Sequence, residues 1–341
     1  MARINRKWVL TRRPVGDIAD GDLAFVSADV PDLAEGEVLV RNLYLSLDPT
    51  NRIWMSDMDQ YLPPVEIGQV MRGGTIGVVE ESRHAGLKPG DIVNPGLAGW
   101  QDYEIAQGAA VSRLPVLPGV PLTAFLSVLG ATAFTAYFGL LEIGDPKPGE
   151  TVVVSAAAGA VGSIVGQIAR IKGARVVGIA GGPDKCRWLT EELGFDGAID
   201  YKNEDVGAAL DRLCPDGIDV NFENVGGSIM EAVIDRMNDF SRMPLCGMIS
   251  TYNATRPPNA PRNFATILMR RIKVQGFIVI DYLPRFGQAA MQLGQWLMEG
   301  RLRYKVHVDQ GLENATTSVK RLFTGDHDGK LLVQISPEPG A

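Results

Sequence analysis

Residues 151–182 constrain the fold of this chain more than any other stretch. Residues 151–155 form a short β-branched run that is typical of a buried strand. A row of small residues, 156–162, follows at once, and apolar residues then recur at helical spacing over 161–171. A second apolar strand is predicted over 175–180. A strand, a glycine-rich turn, a helix and a strand together make the crossover that connects parallel strands.

The glycine-rich turn indicates a dinucleotide site. Gly159 and Gly162 lack the β-carbon that would keep a diphosphate away from the amides at a helix N-terminus. Ala156 occupies the place of the usual first glycine, so the motif is AxxGxxG rather than GxGxxG. Its position between two strands favours cofactor binding by Gly159, Ala160, Val161 and Gly162. The alternative is a tight turn in an α/β domain that binds nothing.

The end of the second strand favours NADP(H) over NAD(H). NAD sites commonly place an Asp or Glu about 20 residues beyond the fingerprint, where it binds the ribose hydroxyls. Here the strand ends in Gly181 and Gly182, with no carboxylate at its tip. Lys185 follows and could pair with a 2′-phosphate, although it could also be an ordinary solvated lysine. Asp184 is close enough in sequence to leave NAD open.

Composition excludes several classes of function. The net charge of −7 argues against nucleic acid or an anionic membrane as the main partner. No apolar run approaches the ~20 residues that a membrane-spanning helix needs. The chain has three cysteines and three histidines, all widely spaced and without a CxxC pair. We therefore predict no metal, no disulfide framework and a reducing cytoplasmic location.

The length of 341 residues suggests two domains. Residues 1–126 are β-rich with Gly/Pro turns and predict a partly open barrel, with strands at 7–11, 37–46, 74–80, 91–93, 100–105 and 110–114. From residue 151 a β–α–β rhythm predicts an α/β doubly wound parallel sheet, with strands at 151–155, 175–180, 197–201, 218–222, 243–248 and 272–279. Its helices are expected at 161–172, 184–193, 205–213, 228–238 and 284–299, after a helical segment at 122–141. The predicted domains are 1–126 with 303–341, and 127–302.

Several motifs occur in an order that resembles a known family. Residues 45–52 (LSLDPTNR) resemble SxDPYMR, and 130–137 (GATAFTAY) resemble GMxGxTAY. Residues 221–227 (NFENVGG) match FxNVGG, and 246–253 (CGMISTYN) match CGxISxYN. The chain thus resembles the zinc-free branch of the medium-chain dehydrogenase/reductase superfamily. That branch contains prostaglandin and leukotriene reductases, alkenal double-bond reductases and curcumin-type reductases.

The resemblance implies a Rossmann domain with a GroES-like barrel, a homodimer, and a set of NADP(H) contacts. Lys185 and Tyr201 would meet the 2′-phosphate, and Thr132 the nicotinamide ribose or amide. The full set beyond the diphosphate turn is Thr132, Gly181, Lys185, Tyr201, Asn224, Cys246, Ile249, Ser250, Tyr252, Phe277, Ile278, Val279 and His327. This chain departs from the family pattern at Thr50-Asn51, where Tyr-Met is usual, and at His327, where an asparagine often touches the cofactor.

The resemblance also implies NADPH-dependent reduction of the C=C bond of an α,β-unsaturated ketone or aldehyde. Hydride goes to the β-carbon, and a hydroxyl can stabilise the negative charge that builds on the carbonyl oxygen. We expect Tyr252 to supply that hydroxyl, unless it only packs at a strand end. Substrate contacts are expected from Thr50, Arg52, Trp54 and Tyr61, which could instead be ordinary barrel residues; Arg52 could pair internally with Asp48. A quinone reductase and a non-catalytic NADPH-binding protein are the alternatives.

Overall fold

The computed structural model of the chain describes residues 3–115 and 119–340. Its strands are β1 (Ile4–Leu10), β2 (Leu23–Asp29), β3 (Glu37–Ser46), β4 (Thr75–Ser82), β5 (Ile92–Asn94), β6 (Tyr103–Gln107), β7 (Ser112–Arg113), β8 (Thr151–Val154), β9 (Arg175–Ala180), β10 (Gly197–Asp200), β11 (Ile218–Phe222), β12 (Met237–Leu245), β13 (Lys273–Gly276), β14 (Val306–Gln310) and β15 (Lys330–Gln334). Its α-helices are α1 (Thr50–Trp54), α2 (Ala131–Phe138), α3 (Gly162–Ile171), α4 (Pro183–Arg187), α5 (Val206–Leu213), α6 (Gly227–Ile234), α7 (Phe264–Met269), α8 (Phe286–Met298) and α9 (Ala315–Thr324).

The chain forms two compact units. The first comprises the residues up to Leu126, Val306–His327 and the residues from Leu331 onward. The second comprises Ser127–Lys305 together with Asp328–Lys330. The sequence predicted that the chain passes from the second domain back to the first between residues 302 and 303. In the structure it does so after Lys305, and residues 328–330 again belong to the second unit.

The second unit is built on a parallel sheet in the order β10-β9-β8-β11-β12-β13. Val152, Val153 and Val154 of β8 are fully buried, as expected of a central strand covered on both faces. The strand order reverses between β8 and β11, and ligands of such sheets bind beside the carboxyl ends of the strands at that point. The predicted α/β class, with a doubly wound parallel sheet, is confirmed.

The first unit is β-rich, with a sheet in the order β14-β15-β3-β4-β5-β7 and β6 also paired to β3. The pairings of β3 with β4, β6 and β15 are antiparallel. A separate hairpin joins β1 to β2. A buried core that includes Leu45, Met71 and Trp100 lies under these strands. This unit corresponds to the β-rich domain that the sequence predicted beside the α/β domain.

Several predicted elements differ from those observed. The helix predicted over 228–238 ends at Ile234, and β12 begins at Met237, six residues before the predicted strand. The helix predicted over 184–193 changes to π-helical turns at Trp188–Glu192. The segment predicted as one helix over 122–141 is divided into a 3₁₀ turn at Leu122–Leu126, α2, and a π-helix at Gly139–Gly144. Strand β2 was not predicted.

Candidate cofactor and active site

The turn after β8 has space only for small residues. A β-carbon on Gly162 would lie 2.5 Å from the Ala156 carbonyl oxygen and 2.8 Å from the Ala157 Cα. A β-carbon on Gly159 would lie 3.2 Å from the same Ala156 oxygen. Helix α3 begins at Gly162, immediately after the turn. The packing of the turn itself therefore requires glycine at 162, and the binding of a diphosphate at this helix start stays a prediction.

The tail of the chain lies beside this turn. Gly159 forms a parallel bridge with Gly329. The Lys330 amide donates to the Lys305 carbonyl at 2.9 Å, and a β-carbon on Gly329 would lie 2.2 Å from that oxygen. His327 belongs to the first unit, where its Nδ1 lies 3.3 Å from the Arg321 carbonyl oxygen. The contact of His327 with a cofactor stays a prediction.

Tyr201, one of the two predicted 2′-phosphate residues, lies against Gly181 just after β9. A β-carbon on Gly181 would lie 3.0 Å from the Tyr201 hydroxyl and 2.9 Å from Lys202 Cε, so both side chains cover this glycine. Lys185 lies on the following helix, α4. Asp184, which left NAD open, forms an ion pair with Arg187.

Asp200, which the sequence did not single out, fixes the loop after β9. Its carboxylate accepts hydrogen bonds from the Gly182 amide at 2.8 Å and from Asn203 Nδ2 at 2.7 Å. Burial by itself would raise the pKa of Asp200, but these hydrogen bonds hold it below its ordinary value. The carboxylate at the tip of β10 therefore supports the Gly181–Gly182 backbone.

A second residue that the sequence did not identify, Glu223, holds the loop after β11. It is fully buried, and its carboxylate accepts from the Ser155 hydroxyl at 2.9 Å and from the amides of Val225 and Gly226 at 2.7 and 2.8 Å. Asn221 Nδ2 donates to it at 2.9 Å. The sequence signal that could have identified Glu223 is its position as a charged residue between the end of β11 and the NVGG motif. Glu223 connects the ends of β8 and β11.

The segment after β12 is attached to this loop through its backbone. The amides of Cys246 and Ile249 donate to the carbonyls of Glu223 and Asn224 at 2.9 and 3.1 Å. The Ser250 hydroxyl donates to the Val225 carbonyl at 2.6 Å. Asn224 Nδ2 donates to the Ser155 carbonyl at 2.7 Å. The structure thus brings Asn224, Cys246, Ile249 and Ser250 together at the carboxyl ends of the strands.

Cys246 is not a nucleophile at neutral pH. Burial raises the pKa of its thiol to about 12, and the charge of Glu223 acts in the same direction. The thiol therefore stays protonated and serves as a small apolar group.

Tyr252 lies half-buried just after the 3₁₀ turn Ile249–Thr251. Its hydroxyl accepts a hydrogen bond from the Met248 amide at 3.1 Å. A β-carbon on Gly247 would lie 2.9 Å from this oxygen, so the glycine leaves room for the hydroxyl.

Four further cofactor contacts were predicted in the second unit, from Thr132, Phe277, Ile278 and Val279. The Phe277 ring fills the space above Gly139, where a β-carbon would meet its Cζ at 2.3 Å, and it meets the Phe222 ring edge-on. Ile278 and Val279 follow and are half-buried. Thr132 donates to the Ser127 carbonyl at 3.3 Å. The cofactor contacts of these four residues stay predictions.

In the first unit, three of the four predicted substrate residues form one hydrogen-bonded cluster. The Thr50 and Tyr61 hydroxyls are 2.5 Å apart, and the Trp54 indole N–H donates to Tyr61 at 3.1 Å. Burial raises the pKa of Tyr61, and the hydrogen bonds with Thr50 and Trp54 act in the opposite direction. Tyr61 is 36% exposed, whereas Trp54 is 6% exposed, so Tyr61 presents the accessible surface of this cluster.

Arg52 is the fourth predicted substrate residue. Its side chain is buried, and its guanidinium donates to the Pro14 carbonyl at 3.0 Å and the Gly16 carbonyl at 2.9 Å. It therefore holds the loop after β1 from inside the first unit. Its contact with a substrate and its pairing with Asp48 stay predictions.

Residues 3–115 and 119–340 contain no group of three or more His, Cys, Asp or Glu side chains arranged to hold a metal ion. Within the same residues, none of the helices combines the length and apolar character needed to cross a bilayer.

Comparisons with known proteins agree with this geometry. A family model described as "N-terminal domain of oxidoreductase" matches residues 6–114, and one described as "Zinc-binding dehydrogenase" matches residues 160–296. The chain is 46% identical over 337 residues to the NADPH-dependent curcumin reductase of Escherichia coli, covering 97% of each protein. The chain belongs to the zinc-free branch of the medium-chain dehydrogenase/reductase superfamily.

Two further members of this branch extend the comparison. Prostaglandin reductase 1 of Bos taurus is 38% identical over 333 residues, which cover 96% of this chain and 98% of that protein. The crystal structure of CurA from Vibrio vulnificus in complex with NADPH superposes with a TM-score of 0.93 at 47% identity, covering 98% of this chain and all of that one. The resemblance on which the sequence analysis relied is confirmed.

Proposed function

We propose that this chain is an NADP-dependent oxidoreductase that reduces the C=C bond of α,β-unsaturated ketones or aldehydes. The observation that carries the proposal is its likeness, along 98% of its length, to a structure solved with NADPH. Relatives named as curcumin, prostaglandin and (+)-pulegone reductases support the enone as the substrate class.

The described residues fit the cofactor. When bound, NADPH supplies the hydride that reduces the β-carbon. The turn around Gly162 would hold the diphosphate, and Lys185 and Tyr201 would bind the 2′-phosphate beside Gly181. Asn224, fixed to the Ser155 carbonyl, would lie beside the cofactor with Cys246, Ile249 and Ser250. The carboxylate of Asp200 accepts from the Gly182 amide and so is engaged by the protein's own backbone.

Tyr252 is our candidate for the donor that stabilises the enolate. Negative charge builds on the carbonyl oxygen as the β-carbon accepts hydride, and the α-carbon then takes a proton. The Met248 amide donates to the Tyr252 hydroxyl and holds it in place, and we propose that this hydroxyl donates to the carbonyl oxygen of the substrate. A preorganised donor needs no reorganisation as the charge develops.

The test of the function is a panel of enones, enals and quinones, with consumption of NADPH and NADH followed for each. We expect NADPH-dependent reduction of enones or enals. Faster turnover of quinones would favour a quinone reductase. Binding of NADPH without turnover of any member would favour a non-catalytic protein.

The test of the mechanism is Tyr252→Phe. We expect turnover to fall by about 100-fold or more, as when one oxyanion donor is lost, while the Kd for NADPH is retained. Tyr304→Phe, a half-buried tyrosine of the same unit, is the control and should leave turnover unchanged. Wild-type turnover in Tyr252→Phe would remove Tyr252 from the mechanism.

We also propose that the protein is a cytoplasmic homodimer. The cysteines Cys186, Cys214 and Cys246 are free thiols, as a reducing compartment favours. The apolar side chains of Phe264, Leu268 and Met269 on α7 are 62%, 73% and 67% exposed. The neighbouring strand β13 is an edge of its sheet. An apolar patch beside an open edge is a typical subunit contact.

A further inference from the structure

Arg72 is a half-buried arginine of the first unit without an acidic partner. It precedes β4, and its Nη1 donates to the Pro63 carbonyl at 3.0 Å. Its guanidinium carbon lies 5.5 Å from the centroid of the Trp54 ring. Among the residues that the structure describes, no carboxylate oxygen lies within 4.0 Å of its nitrogens. A guanidinium carries five N–H donors, so most of its capacity is not used by a described acid.

Two other half-buried arginines of the chain, unlike Arg72, form ion pairs. Arg41 and Arg242 are also half-buried, but their nitrogens lie 2.6 and 2.5 Å from carboxylate oxygens of Glu80 and Glu150. Burial lowers the pKa of Arg72, and only the charge of Tyr61 acts in the opposite direction. A cation that is partly removed from water without a counter-ion is costly unless a ligand supplies one.

The guanidinium also faces open space next to the substrate cluster. It lines a cavity of about 260 Å³, together with Pro64, Val65, Glu66, Gln69, Val70, Leu97, Ala98 and Gly99. The Trp54 ring on which it stacks donates its indole N–H to Tyr61, the exposed member of the predicted substrate cluster. The lining combines apolar residues with the polar side chains of Glu66, Gln69 and Arg72, and among these the guanidinium is the group that can bind the anionic end of a ligand with an apolar body.

We propose that Arg72 binds a carboxylate carried by the enone substrate at the end remote from its C=C bond. The planar fork of the guanidinium matches a carboxylate in a bidentate arrangement. This inference rests on the proposed function and specifies the substrate class of the same enzyme.

The test compares aliphatic enones ending in a carboxylate with their neutral methyl esters, over a range of chain lengths. We expect the wild-type enzyme to have a lower KM for the best acid than for its ester. Arg72→Met should raise the KM of the acid by about tenfold and leave that of the ester within about twofold. Arg113→Met, an exposed arginine of the same unit, is the control and should leave the ratio of the two KM values unchanged.

The possible outcomes are distinct. An equal acid-to-ester ratio in wild type and Arg72→Met overturns the role of Arg72 while enone reduction stands. Failure of both acids and esters to turn over, with NADPH bound, refutes the proposed function instead. If Arg72→Met does not fold, wild type decides: a KM for the acid that is no lower than that for the ester, at low salt, overturns the proposal.

Discussion

At the scale of single residues, Ala156 has an unusual backbone. Its φ of +48° lies in the left-handed region, which disfavours residues that have a β-carbon. It stands where the fingerprint usually has a glycine, and its side chain is exposed. Its methyl group therefore adds strain to the turn without gaining buried contact.

We expect Ala156→Gly to stabilise the protein by about 0.5–1 kcal/mol, because relief of the left-handed strain exceeds the added entropy of the unfolded glycine. Urea unfolding of the second unit measures this, and the Kd for NADPH should not change. Ala157→Gly is the matched control: Ala157 is fully buried, so its loss should destabilise by about 1–2 kcal/mol. A destabilised Ala156→Gly variant would contradict the strain argument.

The sequence predicted site residues unevenly at this scale. Gly159 and Gly162 could be identified because a missing β-carbon has a local meaning that the flanking strands make visible. Glu223, Asp200 and Arg72 could not, since a charged residue in sequence does not reveal whether its partner is an amide, an acid or open space. Arg52 shows the same limit, because its carbonyl partners lie 36 and 38 residues away.

At the scale of elements, strand β6 places a half-buried glutamate, Glu104, in the sheet of the first unit. Glu104 of β6 lies opposite Val40 of β3, and Gln101 donates to its carboxylate. Burial raises the pKa of Glu104 to about 7. The folded first unit therefore binds a proton at a pH where the unfolded chain, with an ordinary glutamate, has released it.

The sign of the pH dependence follows. Because the folded-state pKa is raised, the stabilising contribution is complete below pH ~4 and is lost as pH rises to about 7. We expect the free energy of unfolding to fall by about 1–3 kcal/mol between pH 5 and 8 on this account. Glu104→Gln, which stays neutral, should remove that slope, whereas Glu35→Gln on the surface should keep it. Equal slopes in wild type and Glu104→Gln would refute the assignment.

Element prediction succeeded where the local pattern was unambiguous. Strands β3, β9 and β11 have the predicted bounds, because each is an apolar run between turn residues. Strand β12 was misplaced because its first half, MNDFSR, is polar and contains Phe240, which is 68% exposed and has a φ of +61°. Only pairing with β11 and β13 makes this segment a strand.

At the scale of the whole molecule, the fold class was predictable because the motifs and the β–α–β rhythm agree over nearly the full length. The exposed apolar patch on α7 was not predictable, because the spacing of apolar residues in a sequence does not show which face of a helix stays unpacked in the folded chain. Together with the open edge of β13, the patch suits a symmetric contact between two copies of the chain.

We expect sedimentation equilibrium to give a dimer for the wild-type protein. Leu268→Glu, which places a charge at a position that is 73% exposed, should shift the protein to monomer because the charge would be buried in the contact. Met298→Glu, on α8 and 88% exposed, should leave the dimer intact. A wild-type monomer, or a dimer unaffected by Leu268→Glu, would contradict the proposed contact.

The pairing of Gly159 with Gly329 joins two segments that are synthesised at very different times. During synthesis, the diphosphate turn leaves the ribosome long before the segment that lies beside it. Strand β3 is likewise synthesised long before its partner β15, with which it pairs through Ser46 and Leu332. Both units therefore need residues 329–334 to complete these pairings, so truncation before residue 329 would remove a pairing partner from each unit at once.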